Sequence, residues 1–354
     1  MTEPSGAIPS PWLAGVNDPT PAPSTASWTD TRVPGSGTHM NGVVATSPRD
    51  AWAVGGGEDG DLIMRWDGRA WRSVTGPGGL RPVRAVSASS SDNVWVFGNT
   101  GAWRWNGRGW SSKGGLRDLH LPWLKAAVVA GPRDVWVAGD SGDSEDADAT
   151  DPDSRRPFLG RWSGAGWSEF PLPSGLGVHA FSALGPHDVW ALARRGDDSD
   201  SIMRWDGDRW NTVPMPPLLL GKKVQLTDIT AVSADEAWAI GDVSRSGTRT
   251  AVMIRWDGRR WSVVDGPARF VYFSAVASDG DGGVWVGAHY WDYSDGRVLL
   301  RYDGRSWSYE MPPRAQNAPV VSDFALVPGD DQVIAVGGNP SFDEDSRAWI
   351  WMRR

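Results

Sequence analysis

An all-β chain of many short strands is predicted by three features of the 354-residue sequence. Tryptophan is unusually frequent, 24 residues against 8 Phe and 5 Tyr. Gly 44 and Pro 26 punctuate the chain in the way that closely spaced turns do. The tryptophans are also periodic: an apolar segment with a central Trp recurs around Trp52, Trp95, Trp136, Trp190, Trp238 and Trp285, with a degenerate copy, QVIAVG, from Gln332. These centres lie 41 to 54 residues apart, the length of a four-stranded blade, so the sequence predicts a seven-bladed β-propeller of antiparallel blades.

Each unit justifies its strands in order. The first strand is short and apolar, as in NGVVAT from Asn41 or DITAVS from Asp228, and the second carries the central Trp. The third and fourth form a hairpin: MRWDGRAW from Met64, WRWNGRGW from Trp103, GRWSGAGW from Gly160, MRWDGDRW from Met203, IRWDGRRW from Ile254 and LRYDGRSW from Leu300. In it Asp-Gly or Asn-Gly is expected to supply the positive φ angles of a tight turn. At the C-terminal end, AWIWMRR puts Trp351 at the third-strand position with no turn or fourth strand after it, whereas SWTDTRVP from Ser27 reads like a fourth strand. Trp28 is therefore expected to complete the seventh blade, closing the ring and removing exposed sheet edges. One propeller domain is expected over 27–354, and residues 1–26, rich in Pro, Ser and Ala, read as a flexible tail bearing Trp12 and Leu13.

Nineteen of the 24 tryptophans occupy equivalent repeat positions and are expected to pack between blades. Asp50, Asp134, Asp188 and Glu236 precede the second strand, where a carboxylate can accept backbone N–H bonds in a turn. Arg65, Arg104, Arg161, Arg204, Arg255 and Arg301 precede the third-strand aromatic and are expected over neighbouring rings.

Charge and composition exclude several functions. Lys+Arg 35 against Asp+Glu 43 gives a net charge of -8, which offers no general attraction to phosphate backbones, so nucleic acid is not an expected partner. The lack of cysteine removes disulfides, thiolate catalysis and Cys-ligated metals. No run approaches the ~18 apolar residues of a membrane span, so no membrane insertion is expected. The N-terminus shows neither a basic nor an apolar leader region: as written the chain reads as cytoplasmic, and as secreted or surface-anchored if a leader was removed. A monomer is expected.

The D-V-W-A-V-G and R-W-D-G-x-x-W signatures resemble those of bacterial, actinobacterial-type β-propeller repeat proteins over residues 27–354, and the hairpin is similar to that of tectonin-like lectin propellers. The resemblance implies the fold strongly and a function weakly. The GH and WD pair of WD40 repeats, the kelch di-glycine and the sialidase Asp-box are all missing.

The two faces of the ring read differently. First-to-second and third-to-fourth turns are short and repetitive, whereas the fourth-to-first and second-to-third connections vary and mark the working face. The latter include HYWDYSDG from His289, RRGDDSDS from Arg194, DVSRSGTR from Asp242 and an acidic stretch over 139–158. Counting along the innermost strands puts Asn41, Arg84, Lys125, His179, Thr227, Phe273 and Ser322 at the channel mouth, above Gly42, Ala85, Ala126, Ala180, Asp228, Ser274 and Asp323. Candidate ligand-binding residues are Arg84, Trp123, Lys125, His179, Tyr272, His289, Tyr290, Trp291 and Tyr293; the aromatics beside Asp292 suit stacking on a sugar or planar ligand. His39, His120, His179, Asp228 and Asp323 are candidates for acid-base work. No cofactor is predicted and no metal site is assigned. A His-bound divalent metal stays open, because ligands drawn from separate blades leave no spacing signature.

Three readings follow. The first is a recognition propeller binding one small molecule, glycan or protein surface on the variable face. The second is an enzyme, a lyase, hydrolase or cyclase of a small molecule, with a His/Asp site at the mouth. The third is a multivalent lectin, which requires similar pockets blade after blade.

Overall fold

The computed structural model describes residues 28–80, 82–114, 123–141, 156–172, 175–245, 248–264, 272–289, 298–310, 320–338 and 347–353. They form seven four-stranded antiparallel sheets and one 3-10 turn, Pro217–Leu219. In chain order the blades span 39–73, 83–112, 123–169, 176–213, 223–264 and 272–310, and the seventh joins three strands within 320–353 to Trp28–Arg32. The chain is thus a seven-bladed β-propeller whose N-terminal strand completes the last blade. Trp28 lies opposite Arg353 and Arg32 opposite Trp349. The closing blade is latched to blade six through buried Glu310, which accepts from Trp28 Nε1 at 2.5 Å and from Arg353.

The tryptophan repeat is the packing between blades. In blades one to four the second-strand Trp inserts between the third- and fourth-strand aromatics of the next blade. Trp52 meets Trp105 and Trp110, Trp95 meets Trp162 and Trp167, and Trp136 meets Trp205 and Trp210. Trp190 meets Trp256 and Trp261, and Trp285 meets Trp28 across the closure. All five are fully buried or nearly so. Removing about 150–250 Å² of each from water makes this the main cohesive term between blades.

The repeated Asp and Arg residues pair with each other, which corrects the backbone-capping expectation for the acids. Arg65 binds Asp50, Arg161 binds Asp134, Arg204 binds Asp188 and Arg255 binds Glu236, each guanidinium lying over its blade's second-strand Trp. In blade two the acid is replaced by Asn93, and Arg104 Nε is left without a partner among the described residues. The hairpin turns need a second correction. Only the glycine takes positive φ, 88° at Gly68 and 101° at Gly207. The preceding Asp instead accepts two N–H groups, as Asp67 does from Arg69 and Ala70, so the turn spans four residues and the side chain organises it.

The innermost strands carry the feature that builds the mouth. Each has a β-bulge at one level, leaving Asn41, Arg84, Lys125, His179, Thr227, Ser274 and Ser322 out of register with the second strand. A bulge re-aims its extra side chain. Six of these residues are the ones expected at the mouth; in blade six the position belongs to Ser274, not Phe273, and the level below holds Ala275, not Ser274.

Candidate functional site

Four inner-strand bulges and the strand ends above them enclose a cavity of about 580 Å³ at the channel mouth, reaching from blade three to blade six. Three of the candidate ligand-binding residues line it together, Lys125, His179 and Tyr272, with Thr227 and Phe273 of the expected mouth level. Arg194, Gln225, Asp242 and Arg249 complete its polar wall, and sequence reasoning had singled out none of them as site residues.

Asp200 organises one side. Its side chain is fully buried and accepts from Arg194 Nε and Nη2, at 2.9 and 3.0 Å, and from the Leu226 N–H of the next blade at 2.6 Å. His179 Nε2 stands 3.5 Å from the same carboxylate. Burial pushes the Asp200 carboxyl up, but bonding to His179 and Arg194 outweighs it and holds the group below the usual carboxylate range. Asp61 occupies the equivalent place in blade one and caps the Val83 N–H in the same way, at 2.9 Å. The cap therefore belongs to the fold, and the Arg194–His179 cluster is particular to blade four.

On the opposite wall, Arg249 donates to Gln225 Oε1 at 2.8 Å, stands 3.7 Å from Asp242 Oδ1, and lies 5.9 Å from the Tyr272 ring centre. Burial pushes the Asp242 carboxyl up, against the opposing charges of Arg249 and Arg194. Lys125, from blade three, is held by Asp140 at 2.8 Å. The guanidinium and ammonium groups are thus positioned by carboxylates while keeping donors on the cavity side.

Beneath the mouth lies a lumen of about 430 Å³ whose wall includes Asp228 and Asp323. Each carboxylate accepts two backbone N–H bonds, one of them from the next blade: Asp228 takes Ile229 and Val276, and Asp323 takes Phe324 and Val43, at 2.8–2.9 Å. Ser87 and Ser182 do the same lower down for Val129 and Ala231. Such bonds satisfy the inner-strand edges, which explains acids in otherwise apolar strands. Burial raises Asp228 to about 6 and, with the charge of Asp228 added, Asp323 to about 7.

The other expected residues fall elsewhere. Arg84 is exposed on the mouth of blade two, its Nε 3.4 Å from Asn99 Oδ1. His39 is half-buried in blade one, where burial and the nearby Arg84 charge hold it below the usual imidazole range. Trp123 begins the inner strand of blade three, half-buried, its backbone opposite Asp140. None of these three lines the cavity. His289 ends a strand of blade six with its backbone opposite Tyr272. His120, Tyr290, Trp291 and Tyr293, the tail 1–26 and most of the acidic stretch lie outside the described residues. Among the described residues no group of three or more His, Asp or Glu is placed to hold a metal ion, and no helix is long and apolar enough to cross a membrane.

No protein-family model matches the chain, and no curated protein matches it. Solved propellers do. YCF48 bound to a D1 peptide superposes with a TM-score of 0.64 at 15% identity, covering 94% of this chain and 98% of that one. YCF48 from Cyanidioschyzon merolae gives 0.57 at 14%, over 92% and 98%. A catalytically inactive virginiamycin B lyase from Staphylococcus aureus with quinupristin gives 0.63 at 12%, over 92% and 99%. At these identities the likeness is one of fold.

Proposed function

We propose that this chain is a recognition propeller that takes one ligand in the composite cavity at its channel mouth. The observation that carries the reading is the inequality of the blades there. The bulged level presents Asn41, Arg84, Lys125, His179, Thr227, Ser274 and Ser322, and the cavity draws on only four of these blades. A multivalent lectin needs a repeated pocket, and among the described residues this mouth does not repeat. Two propellers of similar fold have been solved with a D1 peptide and with quinupristin, which supports ligand binding by such rings without carrying any residue across.

The test is a thermal-shift screen of metabolite, glycan and peptide libraries against the wild type and a Lys125→Ala, His179→Ala, Tyr272→Ala triple variant. Hits that stabilise the wild type are expected to lose their effect in a triple variant that still melts cooperatively. Hits retained in full by the triple variant would place binding elsewhere.

A second reading is favoured by His179 itself, which sits beside a buried carboxylate that Arg194 holds in place, an arrangement suited to orienting a general base. Under that reading the chain is an enzyme acting on a small molecule at the same mouth. His179→Gln then abolishes turnover of a bound compound while leaving its affinity within a few-fold.

A further inference from the structure

Asp242 stands in the cavity wall with its side chain 9% exposed, and its Oδ1 accepts no hydrogen bond among the described residues. A buried carboxylate short of donors is costly, and Oδ1 itself has almost no accessible surface, so a donor that arrives with a ligand meets this carboxylate where its side chain borders the cavity. Its cation, Arg249 Nε, is 3.7 Å away, beyond hydrogen-bond length, and Arg249 has committed Nη2 to Gln225. His179 Nε2 is likewise buried, with the Asp200 carboxylate 3.5 Å away. Arg194 spends Nε and one Nη bond on Asp200, so among the described residues its remaining N–H groups stay available.

The charges around these atoms decide what chemistry fits. Arg194, Arg249 and Lys125 are offset by Asp200, Asp242 and Asp140, so the cavity is close to neutral. An anionic ligand group meets the Asp242 carboxylate, and a cationic one meets two guanidiniums. A hydroxyl avoids both conflicts, because the same atom donates to a carboxylate and accepts from a guanidinium. Tyr272 lines the cavity beside the pair and offers ring surface to a carbon skeleton.

We infer that the mouth cavity recognises a neutral polyhydroxylated ligand, a sugar or polyol, one hydroxyl of which bridges the Asp242 carboxylate and the Arg249 guanidinium. The inference rests on the recognition reading above and adds to it a ligand class and a residue that selects it. Asp242 is the selective element, since among the described residues its Oδ1 accepts no hydrogen bond and only the Arg249 guanidinium, 3.7 Å away, faces it.

The experiment uses the full chain and named probes: D-mannose, D-galactose, L-fucose and myo-inositol, with D-glucuronate and D-glucosamine as charged counterparts. Binding is followed by saturation-transfer NMR and calorimetry for the wild type, Asp242→Asn, and Arg108→Ala on the opposite face. At least one neutral probe is expected to bind at one per chain, with its charged counterparts about tenfold weaker or worse. Asp242→Asn is expected to weaken it at least about tenfold at an unchanged melting temperature, with Arg108→Ala without effect. Three results overturn the inference: glucuronate or glucosamine binding best, neutral binding indifferent to Asp242→Asn, or no neutral probe binding at all. In each case the recognition reading survives if library hits still depend on Lys125, His179 and Tyr272, and falls with the inference if none do.

Discussion

Asp228 and Asp323 show how one side chain serves the fold through hydrogen bonds and pays in burial. Each accepts two N–H groups, yet burial lifts their pKa values to about 6 and about 7. A carboxyl whose folded pKa exceeds its unfolded value near 4 contributes stability that is fully present below about pH 4 and lost as pH rises through the folded pKa. Melting temperature is therefore predicted to carry a declining component between about pH 4 and 7, and Asp323→Asn is predicted to flatten it. The variant should also cost about 1–2 kcal/mol overall, because an amide cannot accept both N–H bonds. Parallel slopes for wild type and variant across that range would sink this assignment. A second pair separates cap from cluster: Asp61 and Asp200 cap equivalent N–H groups, but only Asp200 also holds Arg194 and neighbours His179. Urea denaturation should show a loss of about 1–2 kcal/mol for Asp61→Ala and about 3–5 kcal/mol for Asp200→Ala, which strands a partly buried guanidinium. Equal losses would mean that the cluster adds nothing.

Among the elements, the closing strand is the one whose partner is most distant in sequence. Val33 N–H donates to the Ala348 carbonyl, so Thr31, two residues earlier, also turns its N–H towards the neighbouring strand. Thr31→Pro is predicted to remove that bond and cost at least about 2 kcal/mol, with hydrogen exchange rising first in blade seven and Glu310. Uniform exchange around the ring would show that closure is not the weak point. This closure was legible because tryptophan spacing counts strands: an unpaired third strand at one end and a lone fourth at the other fit only one way. The bulge level was legible in six blades. Blade six was misread because its long glycine turn, with Gly280 and Gly282 at positive φ, reads as an added residue. In most other blades that residue is spent on a second bulge, as between Ala45 and Ser47, which blade six lacks, so the count is unchanged.

Across the whole molecule, repetition and irregularity are divided between the faces. Trp–Trp insertion and the Asp–Arg pairs recur blade after blade and hold the ring, whereas the mouth takes a different residue from nearly every blade. Lys125, His179 and Tyr272 were legible as mouth residues because they sit on or beside inner strands of recognisable spacing. Arg194, Asp200, Asp242 and Arg249 were present in the strings assigned to the working face, but their polarity read as loop. In the structure they belong to strands, Asp188–Arg195, Asp200–Trp205, Glu236–Arg245 and Thr248–Trp256, that run on into the rim by pairing with one another. Backbone pairing tolerates polar side chains that face a cavity, and no hydropathy pattern marks such an extension. Crystallographic fragment screening, which presumes no ligand, tests the central claim of a single composite site most directly. The account predicts that fragments gather at one place per chain, between Lys125, His179, Arg249 and Tyr272. Occupancy repeated at equivalent positions around the ring, or confined to the face of short turns, would contradict it.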